Sequence, residues 1–373
     1  MPMRILITGG AGFIGSHLAR RLALGGHSVT ILDSFLPQVH GDKPDISVSN
    51  CEIIKADVRD AAAVASAMTG IDVVHHLAAE TGVGQSQYEI GRYVSTNTYG
   101  TSVVLEAAVS ARVGQVVIAS SRAVYGEGQY NCPSCGATVS VGERRNVDLD
   151  AGRWDMLCPN CDGPMNALPM TEDTPAAPTS IYGITKLQQE QLALSVSRTH
   201  KLPVTILRFF NVFGPGQALG NPYVGVLGTF FRRVLAKEAA EVYEDGEMLR
   251  DFVFVEDVVN AMELSSGNER SFGQTFNVGT GIAVNLKNVA TEMFHALDTE
   301  PQLVVSGRYR LGDVRHTIAD ISRLSLLDFR PQMSFQQGLK LYVEWALTQP
   351  EHIIDNRVDE ELLEHNLLRQ GGR

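Results

Sequence analysis

The sequence predicts an α/β fold: a doubly wound parallel sheet, a smaller lobe built from the C-terminal half, and a four-cysteine insertion. Three observations predict it. Short β-branched runs alternate with longer Ala- and Leu-rich stretches through the first half of the chain. Glycines at 9, 12 and 15 stand where the first of these runs passes into a helix. After Arg208 the alternation gives way to Gly/Pro-rich loops and short segments.

The strand candidates are Arg4–Thr8, Ser28–Leu32, Glu52–Lys55, Val73–Leu77, Val116–Ser120 and Val204–Arg208. Between them lie helix candidates at Gly12–Leu24, Ala61–Thr69, Tyr99–Ala111 and Tyr182–Thr199. Near-continuous apolar strands separated by helices point to a parallel sheet covered on both faces. Right-handed crossovers then leave a doubly wound sheet as the natural arrangement. Residues 127–178, rich in Cys, Pro, Gly and Asp, break the rhythm and read as an insertion. The expected organisation is a dinucleotide-binding domain over 1–207, interrupted by that insertion, and a substrate lobe over 208–350. In the second lobe a helix is expected near Thr229–Lys237 and a short strand at Asp251–Val255. Residues 351–373 read as a charged, frayed tail.

With 373 residues, 44% hydrophobic and 20% charged, the composition is that of an ordinary soluble protein with room for two lobes. A net charge of −11 excludes a fold-wide basic footprint for nucleic acid or a polybasic tract for a membrane. No apolar stretch is long enough to span a bilayer, and MPMRILITGG lacks the apolar core of a signal peptide. A cytoplasmic protein is therefore expected. Four of the five cysteines form two close pairs, which in such a protein suggests a metal rather than disulfides. Cys51, in CEIIKAD, reads as a buried structural thiol.

The run Thr8-Gly9-Gly10-Ala11-Gly12-Phe13-Ile14-Gly15 ends the first strand and opens the helix SHLARRLAL. Its glycines permit a tight turn, close approach of a pyrophosphate and close helix–sheet packing. The helix start offers free N–H groups and a positive dipole end to the phosphates. Asp33, at the end of the second strand, is placed to accept from the adenosine ribose hydroxyls of a Rossmann-bound dinucleotide. No Arg follows it immediately, which favours NAD over NADP.

Tyr182-Gly183-Ile184-Thr185-Lys186 puts a phenol and an ammonium on one helical face. A nearby cation favours the phenolate, so Tyr182 is a candidate general base despite an ordinary pKa of about 10. Upstream, the strand Val116–Ser120 runs into Ser120-Ser121-Arg122-Ala123-Val124-Tyr125-Gly126. Ligands of open α/β sheets bind at such C-terminal strand ends.

Taken together, TGGAGFIG (8–15), ADVRD (56–60), HLAA (76–79), NTYGT (97–101), SSRAVYG (120–126), YGITK (182–186), RFFNVFGPG (208–216), RDFVFVEDV (250–258) and RLGDVRH (310–316) resemble the extended short-chain dehydrogenase/reductases of the nucleotide-sugar epimerase/dehydratase family. The resemblance covers nearly the whole chain outside the insertion. It implies Ser121, Tyr182 and Lys186 as the catalytic trio. For the cofactor it implies Gly9, Gly12, Phe13, Ile14, Gly15, Asp33, Asp57, Val58, Leu77, Ala78, Ala79, Asn97, Lys186 and Phe210. Asn211, Asn221, Arg250, Arg310, Asp313 and Arg315 are implied for a nucleotide-diphosphate sugar, with arginines forking onto phosphate oxygens. Homodimerisation is also expected on this ground.

By the same resemblance, the Tyr phenolate takes a hydroxyl proton while a hydride passes to NAD, giving a transient 4-keto sugar. Dehydratases of the family carry Asp-Glu after the catalytic hydroxyl, and the related decarboxylases carry the Glu; here the residues are Arg122 and Ala123. Epimerisation at C4 is then the simplest outcome. Segments 82–94 and 214–227, with the cysteine insertion, are similar to those of dTDP-L-rhamnose 4-epimerases, which make dTDP-6-deoxy-L-talose. UDP-hexose or UDP-glucuronate 4-epimerisation and 4-keto-sugar reduction are the alternatives. A cofactor-sensing, non-catalytic protein with a partner-binding zinc ribbon is a further class, weakened by the intact Ser121, Tyr182 and Lys186. Arg122 departs from the small or polar residue usual in the family.

Cys132-Pro-Ser-Cys135-Gly and Cys158-Pro-Asn-Cys161-Asp-Gly are two knuckle-like turns 22 residues apart. Two such turns complete a tetrahedral all-thiolate site for structural zinc. Arg144, Arg145 and Arg153 are balanced by Glu143, Asp148, Asp150 and Asp155, so no nucleic-acid face emerges. Lying between Ser121 and Tyr182, the insertion is expected to be a lid or a subunit contact.

Overall fold

The computed structural model describes residues 2–41, 51–221, 223, 225–350 and 357–372. Seven parallel strands form its central sheet: β1 Arg4–Thr8, β2 Ser28–Asp33, β3 Cys51–Lys55, β4 Val73–His76, β5 Gln115–Ser121, β6 Val204–Phe209 and β7 Thr275–Val278. Their spatial order is β7-β6-β5-β4-β1-β2-β3. Strand order reverses at β1, which pairs with β2 on one side and β4 on the other. That reversal opens a crevice at the C-terminal strand ends.

Alternation along each strand serves two cores. Ile5, Ile7, Val117, Ala119, Leu207 and Phe209 face one side, with Leu18 and Leu22 of helix α1 (Phe13–Leu24). Leu6, Val116, Ile118, Val204 and Ile206 face the other, with Val103, Val104 and Ala108 of helix α2 (Gly100–Ser110). The central strands β1, β4, β5 and β6 are thus buried on both faces, which is why their sequence runs are apolar throughout rather than alternating. Cys51 is half-buried on β3, its thiol directed to the Ala19 carbonyl.

The third helix of the sheet layer, α3 (Ile181–His200), starts at Ser180, whose hydroxyl accepts from the Gly183 amide. A Cβ on Gly183 would sit 2.6 Å from the Ala123 carbonyl oxygen. Glycine there lets the start of α3 close onto the turn that follows β5.

Beyond β6 a second core gathers aromatic side chains. Phe213, Phe230, Phe231, Phe252, Phe254, Phe335 and Tyr342 pack with Val289 and Met293. Phe213 meets Phe252 edge-on at 6.0 Å and Phe254 at 5.6 Å. Two features differ from expectation. Thr275–Val278 leaves the C-terminal half to join the main sheet as β7, beside β6. The tail is not frayed where it is described: Arg357–Glu364 is helical, and Leu368–Gln370 pairs antiparallel with Arg308–Arg310. Residues 351–356 and 373 of that tail lie outside the described residues.

Candidate active site

A cavity of about 490 Å³ runs along the C-terminal ends of β1 to β6. At one end the glycine turn closes tightly. Gly9 has φ +70°, and a Cβ there would lie 2.7 Å from the Ala78 amide nitrogen. On Gly15 a Cβ would lie 2.3 Å from the Gly9 carbonyl oxygen. The expected result of Gly15→Ala is a displaced turn and at least about tenfold weaker NAD binding, about 1.4 kcal/mol. Calorimetric titration that returns the unsubstituted affinity would contradict this.

Asp33 lines the same end. Its carboxylate accepts from the amides of Ala11 at 3.0 Å and Phe35 at 2.9 Å, and His40 Nε2 lies 3.5 Å away. Burial pushes its pKa up, but His40 and the two amides together hold it below the ordinary carboxylate range. Arg59, not anticipated from sequence, also lines this end and forks onto Asp57 at 2.9 and 2.6 Å. Val58, Leu77, Ala78, Ala79 and Phe210 complete the expected cofactor wall, with Gly12, Phe13 and Ile14. The cradle that a Cβ would fill, a helix start and a buried acceptor are the features a dinucleotide needs, so the residues fit NAD.

Asn97 does not reach the cavity wall. Fully buried in a wide π-helical turn, Val94–Tyr99, it accepts from the Glu80 amide at 2.7 Å and donates to Thr185 Oγ1 at 3.0 Å. It braces the wall and the start of α3, an indirect part that a motif match cannot separate from direct contact.

Ser121, Tyr182 and Lys186 all line the cavity. Lys186 Nζ donates to the Ala119 carbonyl at 2.9 Å and lies 5.9 Å from the Tyr182 ring centroid. Burial brings the Lys186 ammonium down to about 7, with Glu190 opposing. For Tyr182, burial raises the pKa, while a hydrogen bond with Ser121 and the charge of Arg122 act the other way. Among the described residues, the carboxylates lining the cavity are Asp33, Asp57 and Glu80. Glu80 is paired with Arg92 at 2.7 Å.

Toward the second lobe, Asn211 and Asn221 line the cavity as expected, with Gln217 and Tyr223 beside them. Asn211 Oδ1 and Gln217 Oε1 are buried without a hydrogen-bond partner among the described residues. The other expected substrate residues, Arg250, Arg310, Asp313 and Arg315, do not reach the wall. Arg315 is the clearest correction. Only 1% exposed, it binds Asp155 at 2.8 Å, Glu244 at 3.0 Å and Asp245 at 2.6 Å. Its three guanidinium nitrogens are already engaged by three carboxylates, so its charge is met inside the protein. Arg250 donates to the carbonyls of Leu249, Val314 and Arg315, so it shapes the loop at 310–316. Arg310 stacks over Tyr243, and its Nε has no partner among the described residues.

Behind this loop sits the insertion. Strands Thr138–Ser140, Gln129–Asn131 and Asn166–Ala167 form a small sheet. Its two knuckles match in backbone as well as sequence. Gly136 and Asp162, both at positive φ, donate to the carbonyls of Cys132 and Cys158 at 2.8 Å. The four sulfurs lie within 4.8 Å of one another, with Cys132–Cys161 at 3.5 Å and Cys135–Cys158 at 3.6 Å. Bonds of about 2.3 Å to a tetrahedral ion place sulfurs about 3.8 Å apart, so this donor set fits zinc. The insertion is anchored rather than loose: buried Arg144 bridges Glu127 at 3.1 Å and Glu244 at 2.8 Å and donates to the Asp313 carbonyl at 2.9 Å.

The family model described as the NAD dependent epimerase/dehydratase family matches residues 5–141 and 161–279. The chain is 38% identical to a dTDP-L-rhamnose 4-epimerase of Burkholderia thailandensis, over 92% of this chain and 94% of that protein. It is 31% identical to a UDP-N-acetyl-alpha-D-glucosaminuronate decarboxylase of Bacillus cytotoxicus, over 92% and 98%. Among solved structures, MoeE5 in complex with UDP-glucuronic acid and NAD superposes with a TM-score of 0.74 at 32% identity, over 92% of this chain and 99% of that one.

Proposed function

This chain belongs to the NAD dependent epimerase/dehydratase family, and from that premise we propose that it is an NAD-dependent nucleotide-sugar 4-epimerase. Its proposed reaction converts dTDP-L-rhamnose to dTDP-6-deoxy-L-talose. One observation carries the reaction type. Ser121, Tyr182 and Lys186 share a cavity whose lining carboxylates, among the described residues, are all engaged elsewhere, and Ser121 is followed by Arg122 and Ala123. A base for reversible oxidation is therefore at hand, without the acid–base pair a dehydration needs. The choice of sugar follows the similarity to the Burkholderia protein.

Bound NAD supplies hydride acceptance and return at C4, which takes the sugar through a 4-keto form. The chain's own residues do the rest. Tyr182 takes the proton of the 4-hydroxyl and gives it back, Ser121 holds the sugar oxygen, and Lys186 favours the phenolate. Asn211, Asn221 and Gln217 meet the nucleotide sugar. For the assembled protein we propose a cytoplasmic homodimer with a structural zinc at Cys132, Cys135, Cys158 and Cys161. The sulfur geometry supports the metal, and the family resemblance supports the dimer.

The test is to incubate the purified protein separately with dTDP-L-rhamnose, UDP-glucose and UDP-glucuronate, without added reductant, and to follow each sugar by NMR. The expected result is conversion of dTDP-L-rhamnose to its C4 epimer with no net change in NADH. Conversion of UDP-glucuronate alone would move the substrate to the uronate. Three unchanged sugars in the presence of bound NAD would count against the epimerase itself.

A further inference from the structure

The helix Arg357–Glu364 packs against the stretch that follows Gly82. Its buried Leu362 comes close enough that a Cβ on Gly84 would lie 3.2 Å from the Leu362 Cδ2. Just beyond the helix, the His365 ring stacks on Tyr88 with centroids 4.4 Å apart. Asp359 fixes the helix to the second lobe, accepting from Tyr243 at 3.0 Å and pairing with Arg308 at 3.2 Å. On the same helix, Glu361 receives two phenols. Tyr88 donates to its Oε2 at 2.6 Å, Tyr223 donates to the same oxygen, and the two phenol oxygens lie 2.7 Å apart.

Tyr223 lines the cavity, and so does Gly82. A Cβ on Gly82 would lie 3.6 Å from the Tyr223 Cβ, so the two stand side by side in the wall. Four residues after Gly82, Ser86 Oγ accepts from the Tyr182 amide at 3.0 Å, which joins this part of the wall to the start of α3. Burial and the Glu361 carboxylate together push the Tyr223 phenol up to about 12, so it keeps its proton near neutral pH. That proton is committed to Glu361, and the Tyr88 proton with it. A phenol has one proton to give, so Tyr223 has no donor left for a sugar hydroxyl. What it offers a ligand is its ring. A side chain ordered before the ligand arrives spares the complex the cost of ordering it on binding.

We propose that Glu361 is a positioning residue for the nucleotide sugar: by accepting from Tyr88 and Tyr223 it holds the Tyr223 ring in place as a wall of the substrate cavity. This rests on the reading of that cavity as a nucleotide-sugar site. It also gives the C-terminal segment a part in substrate binding, although that segment supplies no lining residue of its own.

The experiment compares Glu361→Leu, Glu361→Gln, Tyr223→Phe and the double variant Glu361→Leu/Tyr223→Phe with the unsubstituted protein, each loaded with NAD. KM and kcat are measured with dTDP-L-rhamnose. Tyr223 is followed separately by fluorine NMR of protein labelled with meta-fluorotyrosine, its resonance assigned by its loss in Tyr223→Phe. Glu361→Leu should raise KM by about fivefold or more while kcat stays within about twofold. Glu361→Gln keeps an acceptor oxygen and should restore most of the loss. In the Tyr223→Phe background Glu361→Leu should add less than about twofold, because the tie it breaks is already gone. Before any sugar is added, Glu361→Leu should shift the Tyr223 resonance. Unaltered NAD affinity and melting temperature establish that the variants are folded. Tyr223→Phe removes a single oxygen and should raise KM to the same extent, so it carries the test if the Leu variant does not fold. An unchanged KM in these variants overturns the proposal, as does a Tyr223 resonance that ignores Glu361→Leu. Effects that multiply in the double variant would place the action of Glu361 elsewhere and overturn it too. An unsubstituted protein inactive on every sugar overturns the epimerase reading instead; the fluorine resonance needs no turnover and still decides whether Glu361 holds Tyr223.

Discussion

Tyr182→Phe is expected to lower epimerase turnover by about 10²–10⁴-fold while NAD remains bound. The phenyl ring keeps the shape of the site, so the buried start of α3 and its cap at Ser180 are undisturbed. What is lost is the oxygen that takes the sugar proton. Neither Ser121 nor Lys186 replaces it: Ser121 carries an ordinary alcohol and accepts from the Ala123 amide, while the Lys186 ammonium donates to the Ala119 carbonyl. In the unsubstituted protein, turnover should fall as the pH drops through the Tyr182 ionisation, because only the phenolate accepts a proton. NMR of the exchanging sugar epimers, with extraction of bound NAD as the control, measures both effects. A Phe variant retaining more than about a tenth of the turnover would remove Tyr182 from the role of base.

Stripping the proposed zinc, or replacing buried Cys158 by Ser, should unfold the insertion and weaken nucleotide-sugar binding by about tenfold or more, with NAD affinity retained. The insertion has only a small core, Tyr130, Cys132, Cys158 and Met165, and half of it is metal-site cysteine. Without a cation four thiolates cannot persist at the distances seen, so the sulfurs take up protons and the bonds that hold the cluster are lost. The consequence reaches the substrate through buried charge: Arg144 ties the insertion to Glu127, Glu244 and the Asp313 carbonyl, and Asp155 ties it to Arg315. Breaking one partner of such a buried network costs about 3–5 kcal/mol, enough to release the loop that carries Arg310 and Asp313. The glycine cradle and Asp33 stand at the opposite end of the cavity and make none of these contacts. Metal content by elemental analysis, melting by calorimetry and separate titrations with NAD and dTDP would check each link. A metal-free protein that binds dTDP unchanged would show the insertion to be independent of the site.

The anchoring also decides the place of the insertion. Position in the chain, between Ser121 and Tyr182, suggests a lid or a subunit contact. Within one chain, however, it is a brace. Tyr309 donates to Asp150 at 2.6 Å and packs against Trp154, while the Gly372 amide reaches the Asp150 carbonyl at 3.0 Å. A strand, a helix and the C-terminal segment meet there, the helix lying more than a hundred residues before the other two.

Much of the site was legible in the sequence because local rules govern it. A two-sided buried strand needs an apolar run, a phosphate turn needs glycine at Gly9 and Gly15, and a base and its cation need helical spacing at Tyr182 and Lys186. Paired C-x-x-C turns likewise state a cluster of four sulfurs in their own spacing. These features depend on neighbours within a few residues, so the sequence by itself determined most of the sheet, the glycine turn, the cavity shared by Ser121, Tyr182 and Lys186, and the four-sulfur cluster. The rest depended on partners far along the chain. Nothing near Arg315 foretells that Asp155, Glu244 and Asp245 converge on it, or that Asn97 braces Glu80 and Thr185 rather than lining the cavity. Nor does TFNV at 275–278 announce that it will extend the main sheet. An arginine's motif states that a cation is present; which anion it meets is settled by long-range packing, and only the tertiary structure decided that.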